Sequence, residues 1–572
     1  MQPFAALVPL FALLAGVSAF TLSHTRPAPV TVPAQPARVK LAVLVVFDQM
    51  RGDYPARWRS LYGNGGFQRL MTEGAWFTDC HYPYGTTTTG PGHASILTGT
   101  CPDHHGIVNN NWNERGVDVY CAASSRYSIV PPPAVAKGVR PPAGGNPERL
   151  LSETVADVLK QTYGPRSKVF GLSLKDRSAI LTTGKQPDGA FWFDGRLITS
   201  TYYTERLERR YPDWGRPFYR SNRVHQWFGT EWNKFRPDLD YARHSGPDDA
   251  PGEPANRQSF PHSLTGGKTA GSAYYNALAA SPFGNELLLD IAKHCIVGEN
   301  LGHDSVPDLL VVSFSSNDLI GHAWGPDSQE VLDVTLRTDA LLADLLRFLD
   351  SRVGHGNYAL ALTADHGVCP IPEQSAAKGR NARRVSRPQI QERAEQYLRE
   401  RFPNVEPSKA RWIEAFPFPW IYLNPRLVKE SGWSREEVAG TLARFLATQG
   451  DLETAFSRDD LAPETPIRSD VHRRMKRSFY PARCGDVCVV LKPFDLPTDK
   501  KPTDLLKVDS GTTHGSPFEY DAFVPLFVMG PGVVGGPHSE PVTPQAAAAI
   551  FSRFLGLRMP NHAEFPVPAT LE

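Results

Sequence analysis

Residues 41–48 read LAVLVVFD, an uninterrupted apolar run that ends in an aspartate. A run of Leu, Val and Phe is typical of a strand buried on both faces, as in a parallel sheet covered by helices. Similar runs occur at 168–173, 309–314, 358–364, 487–491 and 524–529, with longer mixed segments between them. This alternation predicts an α/β fold with a mostly parallel central sheet flanked by helices.

Two helices and two insertions complete the predicted fold. Apolar residues recur at helical spacing from Val331 to Leu349, and Pro544 to Leu555 favours a closing helix with a proline near its first turn. The rhythm breaks at about 190–300, which is rich in Trp, Tyr, Arg, Pro and Gly, and again at about 371–486. We interpret both as cap insertions within one domain, 39–572. The aromatic residues favour local packing, with substrate contact as the alternative.

The overall charge excludes some partners. The 572 residues carry a net charge of +1, so we expect no nucleic-acid-binding surface and no electrostatic attraction to an anionic membrane. A small anionic ligand would have to be attracted by charges at its own site. Apolar residues make up 41% and charged residues 21%, which is typical of a globular protein.

The first 38 residues are predicted to be a signal peptide and a Pro-rich linker. Phe4 to Phe20 is almost wholly apolar, and Val17-Ser18-Ala19 offers the small residues of a cleavage site. We therefore expect export to the periplasm or the medium. No Lys or Arg precedes the apolar segment, so an uncleaved membrane anchor is the alternative, and membrane contact is expected only in that case.

Seven cysteines are present, and in an exported chain some of them should pair while at least one stays free. Cys484 and Cys488 are close enough in sequence to close a small loop. No Cys-x-x-Cys occurs, which argues against a cysteine-rich zinc site.

Candidate metal ligands follow several of the predicted strands. The carboxyl ends of parallel strands converge on one crevice, so these side chains should meet there. Carboxylate with imidazole suits zinc, and two ions about 3.5–4 Å apart can hold both the attacking and the leaving oxygen of a displacement. The candidates are three aspartates and three histidines: Asp48, Asp318, His322, Asp365, His366 and His514.

Individually, these residues have other interpretations. Asp48 alone could be a helix cap, and a single histidine in a loop, such as His514, is usually only solvated. Asp318 and His322 lie on one side of the chain if their segment is helical, but Gly321 makes a tight turn equally possible. The hypothesis of a metal site therefore depends on all six residues occurring together.

A nucleophile candidate lies at residues 86–93, TTTTGPGH. Thr89 has the best position, directly before a predicted Gly-Pro-Gly turn and a helix-like segment whose N-terminus favours an anion. A metal ion can stabilise the threonine alkoxide, which is otherwise a poor nucleophile. The alternative is a polar loop of β-branched residues.

Three residues could bind phosphate oxygens. Lys175 and Arg177 alternate across Asp176, so in an extended backbone both point to the same side. A lysine point charge and an arginine fork together suit non-bridging phosphate oxygens, although a solvated strand end is the alternative. Asn110 could donate a neutral hydrogen bond, although three successive asparagines more often form a turn.

Taken together, the motifs resemble those of a known family. Thr-x-Pro-Gly-His, Asn-Asn-Trp, Leu-Lys-Asp-Arg, Asp-x-x-x-His, Ala-Asp-His-Gly and Thr-His-Gly occur in family order between Val39 and Leu557. The chain resembles the alkaline phosphatase superfamily, specifically its phosphodiesterase/nucleotide pyrophosphatase-like branch. It is most similar to the phosphate-irrepressible bacterial alkaline phosphatases that use a threonine nucleophile.

The resemblance implies roles and an activity. Asp48, Thr89, Asp365 and His366 would surround one of two zinc ions, and Asp318, His322 and His514 would bind the other. Thr89 would attack phosphorus and form a phosphothreonine that is then hydrolysed, while Asn110, Lys175 and Arg177 contact the phosphoryl group. Related phosphodiesterases lack the Lys/Arg pair. The resemblance thus predicts an alkaline phosphatase acting on small phosphate monoesters, with weaker diesterase activity.

Three alternatives remain at this stage. A nucleotide pyrophosphatase or phosphodiesterase could use the same scaffold. A sulfatase is disfavoured, because the Cys/Ser-x-Pro-x-Arg motif is absent at Thr89. A non-catalytic exported binding protein, using the cap aromatics for recognition, belongs to another class. The oligomeric state and the physiological substrate are not encoded in any motif.

Overall fold

The central sheet is built around Leu41–Phe47, whose seven side chains are all buried. The structure is a computed structural model that describes residues 36–135, 138–255, 259–265, 267–403, 405, 410–500 and 509–572. Residues 1–35, which include the predicted signal peptide, lie outside the described part of the chain.

The strands, in chain order, are β1 (Leu41–Phe47), β2 (Ala75–Phe77), β3 (Asn111–Glu114), β4 (Val117–Tyr120), β5 (Ala123–Val130), β6 (Ala143–Gly145), β7 (Val169–Ser173), β8 (Gly189–Phe193), β9 (Leu197–Ser200), β10 (Glu231–Trp232), β11 (His262–Ser263), β12 (Asp308–Phe314), β13 (Tyr358–Thr363), β14 (Arg384–Ser386), β15 (Ile413–Ala415), β16 (Trp420–Leu423), β17 (Leu452–Ser457), β18 (Val487–Leu491), β19 (Leu496–Thr498), β20 (Leu526–Met529) and β21 (Gly536–His538).

The α-helices, in chain order, are α1 (Tyr54–Arg57), α2 (Phe67–Glu73), α3 (Thr89–Thr98), α4 (Pro102–His105), α5 (Val155–Tyr163), α6 (Asp176–Thr183), α7 (Pro217–Arg220), α8 (Tyr241–Ser245), α9 (Ser272–Ala279), α10 (Pro282–Glu299), α11 (Ser316–Trp324), α12 (Gln329–Leu349), α13 (Pro372–Ala377), α14 (Arg387–Arg401), α15 (Pro425–Ser431), α16 (Arg435–Ala447), α17 (Asp470–Arg477), α18 (Glu519–Ala522) and α19 (Ala546–Leu555).

The main sheet has a parallel centre and largely antiparallel flanks. Its order among the described residues is β21-β2-β20-β13-β1-β12-β7-β8-β9-β5-β6. The five strands from β13 to β8 are mutually parallel, which confirms the predicted α/β class. Strand β20 pairs antiparallel with β13, and β9 pairs antiparallel with β8. The parallel centre brings the carboxyl ends of β1, β7, β12 and β13 to one edge.

Two predicted strands differ in their setting. The run at 487–491 forms β18, but β18 belongs to a separate four-stranded antiparallel sheet, β15-β16-β18-β17. The run at 524–529 forms β20, a flanking strand of the main sheet. Apolar continuity identified both strands, but it does not encode which strand each one pairs with.

Both predicted helices form. Helix α12 begins two residues before the predicted start, after Ser328, whose side chain accepts a hydrogen bond from Val331 N. The closing helix α19 begins at Ala546, so Pro544 lies just outside it.

The segments predicted as insertions contain sheet elements as well as cap elements. Strands β8 and β9 extend the main sheet, and α10 packs against β7 and β12. Between these elements, Trp232, Tyr241 and Tyr274 are buried. The second segment contains β14 to β17 and α13 to α17. The proposed boundaries, about 190–300 and 371–486, stay predictions.

The expected disulfides are not formed. All seven cysteines are free and buried. Cys488 lies on β18 within an apolar cluster, whereas the Cys484 thiol donates to Ser478 O at 3.6 Å, so the two do not close a loop. Among the helices of the described chain, none combines the length and apolar character needed to cross a bilayer.

Candidate active site

The sequence-predicted residues meet at the carboxyl edge of the parallel strands. Asp48 directly follows β1, and Lys175 follows β7 after one intervening residue. Asp318 lies in the first turn of α11, which begins after β12, and Asp365 comes shortly after β13. Because these strands are parallel neighbours, side chains far apart in sequence share one crevice.

Asp48, Asp365 and His366 form the first group of metal-type ligands, hereafter the first group. The Nε2 atom of His366 lies 3.5 Å from Asp48 Oδ1 and 3.3 Å from Asp365 Oδ2. All three residues are fully buried. Asp48 Oδ1 accepts no hydrogen bond from the described protein, so this buried carboxylate oxygen is left for another positive partner.

Asp318, His322 and His514 form the second group. His322 Nε2 and His514 Nε2 lie 3.2 and 3.6 Å from Asp318 Oδ1. The segment that could have been either a helix or a turn is helical, and α11 places Asp318 and His322 one turn apart on the same side. His514 comes from the loop before α18 and completes the group.

The three histidines present the same ring nitrogen to the crevice. A carbonyl oxygen only accepts, so an Nδ1 atom bonded to a carbonyl carries the proton and leaves Nε2 with a lone pair. This arrangement fixes both the tautomer and the ring orientation that a metal ligand needs. The Nδ1 contacts are His322 to Thr512 O at 2.7 Å, His366 to Gly367 O at 2.9 Å and His514 to Thr87 O at 2.8 Å.

The electrostatics of the crevice favour bound cations. Burial, together with the charges of Asp318 and Asp365, raises the pKa of the Asp48 carboxyl well above its ordinary value, against the opposing charge of Lys175. Burial lowers the pKa of His366 to about 3, so this imidazole is neutral at physiological pH. Buried carboxylates in excess of nearby cations, together with imidazole nitrogens, form a donor set that fits Zn²⁺.

Lys175 lies between the two groups. Its Nζ is 2.7 Å from Asp48 Oδ2 and 2.5 Å from Asp318 Oδ2. Burial opposes its charge, but these two carboxylates outweigh burial and raise the pKa of Lys175. The ammonium is therefore charged and central to the crevice.

The extended backbone expected for Lys175 to Arg177 is wrong. Lys175 is extended, with φ −102° and ψ 136°, but it caps α6, and Arg177 lies in the first helical turn. Asp176 begins the helix, since an acidic residue is favoured at a helix N-terminus. Both side chains nevertheless face the crevice, because the helix starts directly at its edge.

Arg177 is held beside Thr89 by a short network. Its Nη2 donates to Thr89 Oγ1 at 3.4 Å, and its Nη1 donates to the hydroxyl oxygen of Tyr120 at 3.3 Å. The Tyr120 hydroxyl donates in turn to Asp176 Oδ1 at 2.5 Å. The guanidinium is thus orientated from one side by a tyrosine that sequence reasoning did not select.

Thr89 is the first residue of α3, and its Oγ1 lies 3.4 Å from His366 Nε2. The Gly-Pro-Gly segment is not a separate turn but the first turn of this helix, where proline is tolerated because its missing N–H has no partner there. A Cβ on Gly92 would lie 2.2 Å from Asp365 O, so only glycine lets α3 approach Asp365 this closely. The helix N-terminus favours an anion beside Thr89.

Asn110 is hydrogen-bonded to the residue that follows Thr89. Its Oδ1 accepts a hydrogen bond from Gly90 N at 2.7 Å, which fixes the side-chain amide. Its Nδ2 is therefore the atom that can donate to an oxygen bound next to Thr89.

Further residues support the crevice without having been predicted. His93 places Nδ1 3.1 Å from Asp365 Oδ2 and Nε2 2.8 Å from Ser313 Oγ; its position in the threonine motif was a usable signal. Ser478 Oγ accepts from the backbone N–H groups of Gly85 and Thr86 at 2.8 and 2.9 Å. No local pattern around Ser478 indicates this contact.

A third set of potential ligand atoms, in Cys101, Asp103 and Glu564, lies elsewhere. Arg477 pairs with both of its carboxylates, at 2.9 Å in the case of Asp103. Each carboxylate therefore already has an ion-pair partner, and the set is explained as an ion-pair network.

The parallel sheet with its ligand-bearing edge is the fold of the alkaline phosphatase superfamily. Within this superfamily, the chain belongs to the type I phosphodiesterase / nucleotide pyrophosphatase family, whose model matches residues 42–517. The chain is 32% identical to alkaline phosphatase PhoV of Synechococcus elongatus over 93% of each chain. It is 33% identical to alkaline phosphatase PafA of Elizabethkingia meningoseptica over 92% of this chain and 93% of that one. The crystal structure of wild-type PafA superposes with a TM-score of 0.81 at 31% identity, covering 93% of this chain and 99% of that chain.

Proposed function

We propose that this protein is a zinc-dependent alkaline phosphatase that hydrolyses phosphate monoesters through a covalent phosphothreonine, with weaker activity on diesters. One observation carries the proposal. Thr89 lies at a helix N-terminus beside His366 and Arg177, in a crevice that also holds both groups of metal-type ligands. The similarity of the chain to PhoV and PafA, both named as alkaline phosphatases, supports phosphatase activity.

In this proposal the first and second groups each hold one zinc ion, with Thr89 joining the first group. Bound zinc supplies Lewis-acid stabilisation of the threonine alkoxide and of the departing oxygen. Each histidine can contribute because its Nδ1 proton is already donated to a carbonyl.

The nucleophilic attack and the stabilisation of negative charge are roles of protein residues. Thr89 Oγ attacks phosphorus, so a P–O bond to threonine forms while the bond to the ester oxygen breaks, and the proton lost by the threonine hydroxyl is balanced by the one that the departing alcohol gains. A water molecule then displaces Thr89 and releases inorganic phosphate. The Nδ2 atom of Asn110 and the charges of Lys175 and Arg177 stabilise the negative oxygens through both steps.

Lys175 and Arg177 favour monoesters over diesters. A monoester presents more negative charge on its non-bridging oxygens, so two cations within the crevice stabilise it more strongly. Both side chains are held towards the crevice, Lys175 by Asp48 and Asp318, and Arg177 by Tyr120.

A kinetic comparison tests the substrate class. On zinc-loaded protein, kcat/KM should be higher for an aryl phosphate monoester than for the matched aryl phosphate diester. A higher value for the diester would instead support a nucleotide pyrophosphatase or phosphodiesterase, the second candidate, which the family description favours.

Metal analysis tests the proposed zinc dependence. Elemental analysis should find two zinc ions per chain, and removing them with a chelator should abolish turnover until zinc is restored. Turnover that resists complete chelation contradicts the proposal. A zinc-free protein that binds phosphate esters without hydrolysing them would support the non-catalytic binding protein instead.

We also propose export, on the basis of the apolar segment Phe4–Phe20 and the small residues Val17-Ser18-Ala19 near its end. N-terminal sequencing of protein recovered outside the cytoplasm should locate a cleavage site near Ala19. Recovery of the intact N-terminus in the membrane fraction would support an anchor.

A further inference from the structure

Gln49 directly follows Asp48 and has an unusual backbone conformation. Its φ is +70°, in the left-handed region that residues other than glycine rarely adopt, and only 3% of its surface is exposed. Strained residues persist where the surrounding structure holds them, and they concentrate at functional sites.

The conformation lets Gln49 contact both groups of ligands. Its backbone N–H donates to Asp365 Oδ1 of the first group at 3.1 Å. Its side-chain Nε2 donates to Asp318 Oδ1 of the second group at 2.8 Å. A single residue therefore bridges the two carboxylates, one through its main chain and the other through its side chain.

Gly321 provides the space that the Gln49 side chain occupies. It lies in α11, between Asp318 and His322 in sequence, and a Cβ built on it would lie 1.9 Å from Gln49 Oε1. Glycine is disfavoured inside a helix, so its presence at this position has to be explained by packing. The close approach of the Gln49 amide explains it.

We propose that Gln49 is a positioning residue that couples the two zinc sites by fixing the orientation of Asp365 and Asp318 together. This inference rests on the proposed zinc-dependent function. The strained backbone holds Asp365 Oδ1, so that Oδ2 faces His366, while the amide holds Asp318 Oδ1 beside the histidines of the second group. Partners of metal ligands act in this way, and losing one typically lowers metal affinity by about 10- to 100-fold.

Two different substitutions should give the same phenotype. Gln49→Leu keeps the approximate volume but removes the amide donor. Gly321→Ala keeps Gln49 but fills the space that its amide needs. Both should weaken one of the two bound zinc ions by about 10- to 100-fold, as measured by competition with a chromogenic chelator. The double variant should lose no more affinity than either single variant, because both act through one hydrogen bond.

Matched controls separate this effect from general damage. Gly440→Ala also replaces a glycine inside a helix, α16, where an added Cβ meets only the flexible end of Arg444 at 3.3 Å. Gln68→Leu replaces a half-buried glutamine of α2 whose Nε2 donates to Arg59 O. Both controls should bind two zinc ions as the unmodified protein does. Circular dichroism of each variant checks that it is folded, and if Gly321→Ala does not fold, Gln49→Leu alone decides.

The outcomes are distinguishable. If Gln49→Leu is folded and binds both ions with unchanged affinity, the coupling role is wrong while the proposed function stands. If the unmodified protein binds no zinc, the proposed function itself fails. Selective loss of one ion in Gln49→Leu, reproduced by Gly321→Ala and absent from both controls, supports the inference.

Discussion

The imidazole rings of His366 and His514 are stacked, with their centroids 3.4 Å apart and 15° between their planes. His366 belongs to the first group and His514 to the second, so the two groups are in direct contact through these rings. The two groups therefore adjoin, on the side of His366 that also carries the contact to Thr89.

Replacing Thr89 by Ala should reduce kcat by roughly three orders of magnitude or more, because the atom that bonds to phosphorus is lost. Acid quenching during turnover should trap a phosphoprotein with the unmodified chain and none with the variant. Thr162→Ala on α5, whose hydroxyl donates to Val158 O of the same helix, is a matched control and should keep full activity. Trapped phosphate on the Thr89→Ala chain contradicts the assignment.

Replacing Arg177 by Ala should lower kcat/KM for a phosphate monoester by about 100-fold and for the matched diester by much less. The guanidinium lies beside Thr89 and interacts more strongly with the more highly charged ester. Arg426→Ala, an exposed arginine of α15 paired with Glu430, should affect neither substrate. Equal losses on both ester classes would show that Arg177 has a structural role only.

Tyr120→Phe should produce a weaker form of the same selective defect. The hydroxyl that links Asp176 to Arg177 is lost, while the charge of Arg177 remains. We expect a reduction of about 10-fold in kcat/KM for monoesters with little change for diesters, measured alongside zinc content. Tyr163→Phe removes a hydroxyl that donates to Leu555 O and serves as the control. If the preference for monoesters over diesters is unchanged in the variant, Tyr120 does not position Arg177.

Asp521 should make stability depend on pH. Burial raises the pKa of this carboxyl to about 7 despite hydrogen bonds from Ser516. Between about pH 4 and pH 7 the unfolded chain releases this proton while the folded chain retains it, so stability falls as pH rises through that window. Above pH 7 both states are ionised, and this contribution no longer changes.

Asp521→Asn should remove that dependence. We compare the free energy of unfolding of the variant with that of the unmodified protein at each pH. The difference should shift in favour of the variant by roughly 1–3 kcal/mol from pH 5 to pH 8, as measured by denaturant titration at fixed zinc. Asp118→Asn, on the exposed β3–β4 hairpin, controls for the loss of one charge. A difference that stays constant across this range contradicts the role of Asp521.

Much of the fold was predictable because its central strands are buried on both faces. The observed bounds of Leu41–Phe47 agree with the prediction, and α12 differs by only two residues at its start. The antiparallel flanks were not predictable, because strand pairing depends on contacts distant in sequence rather than on local pattern. The placement of β18 in a separate sheet has the same cause.

The candidate site was predictable where ligands follow strands. Asp48, Asp318 and Asp365 could be selected by this rule, and His366 and His322 by their spacing from an aspartate. The role of Gln49 was missed because it depends on a positive φ and on the missing Cβ of Gly321, neither of which a residue pattern specifies. Arg177 was placed in an extended segment because a helix start after one lysine has little local signature.

The order of the site residues along the chain has a consequence for biosynthesis. Once His366 has been synthesised, the chain contains Thr89 and every residue of the first group. His514 of the second group and Ser478, which contacts the threonine loop, come from the last fifth of the chain. A nascent polypeptide therefore cannot assemble the whole crevice until its final segments have emerged from the ribosome.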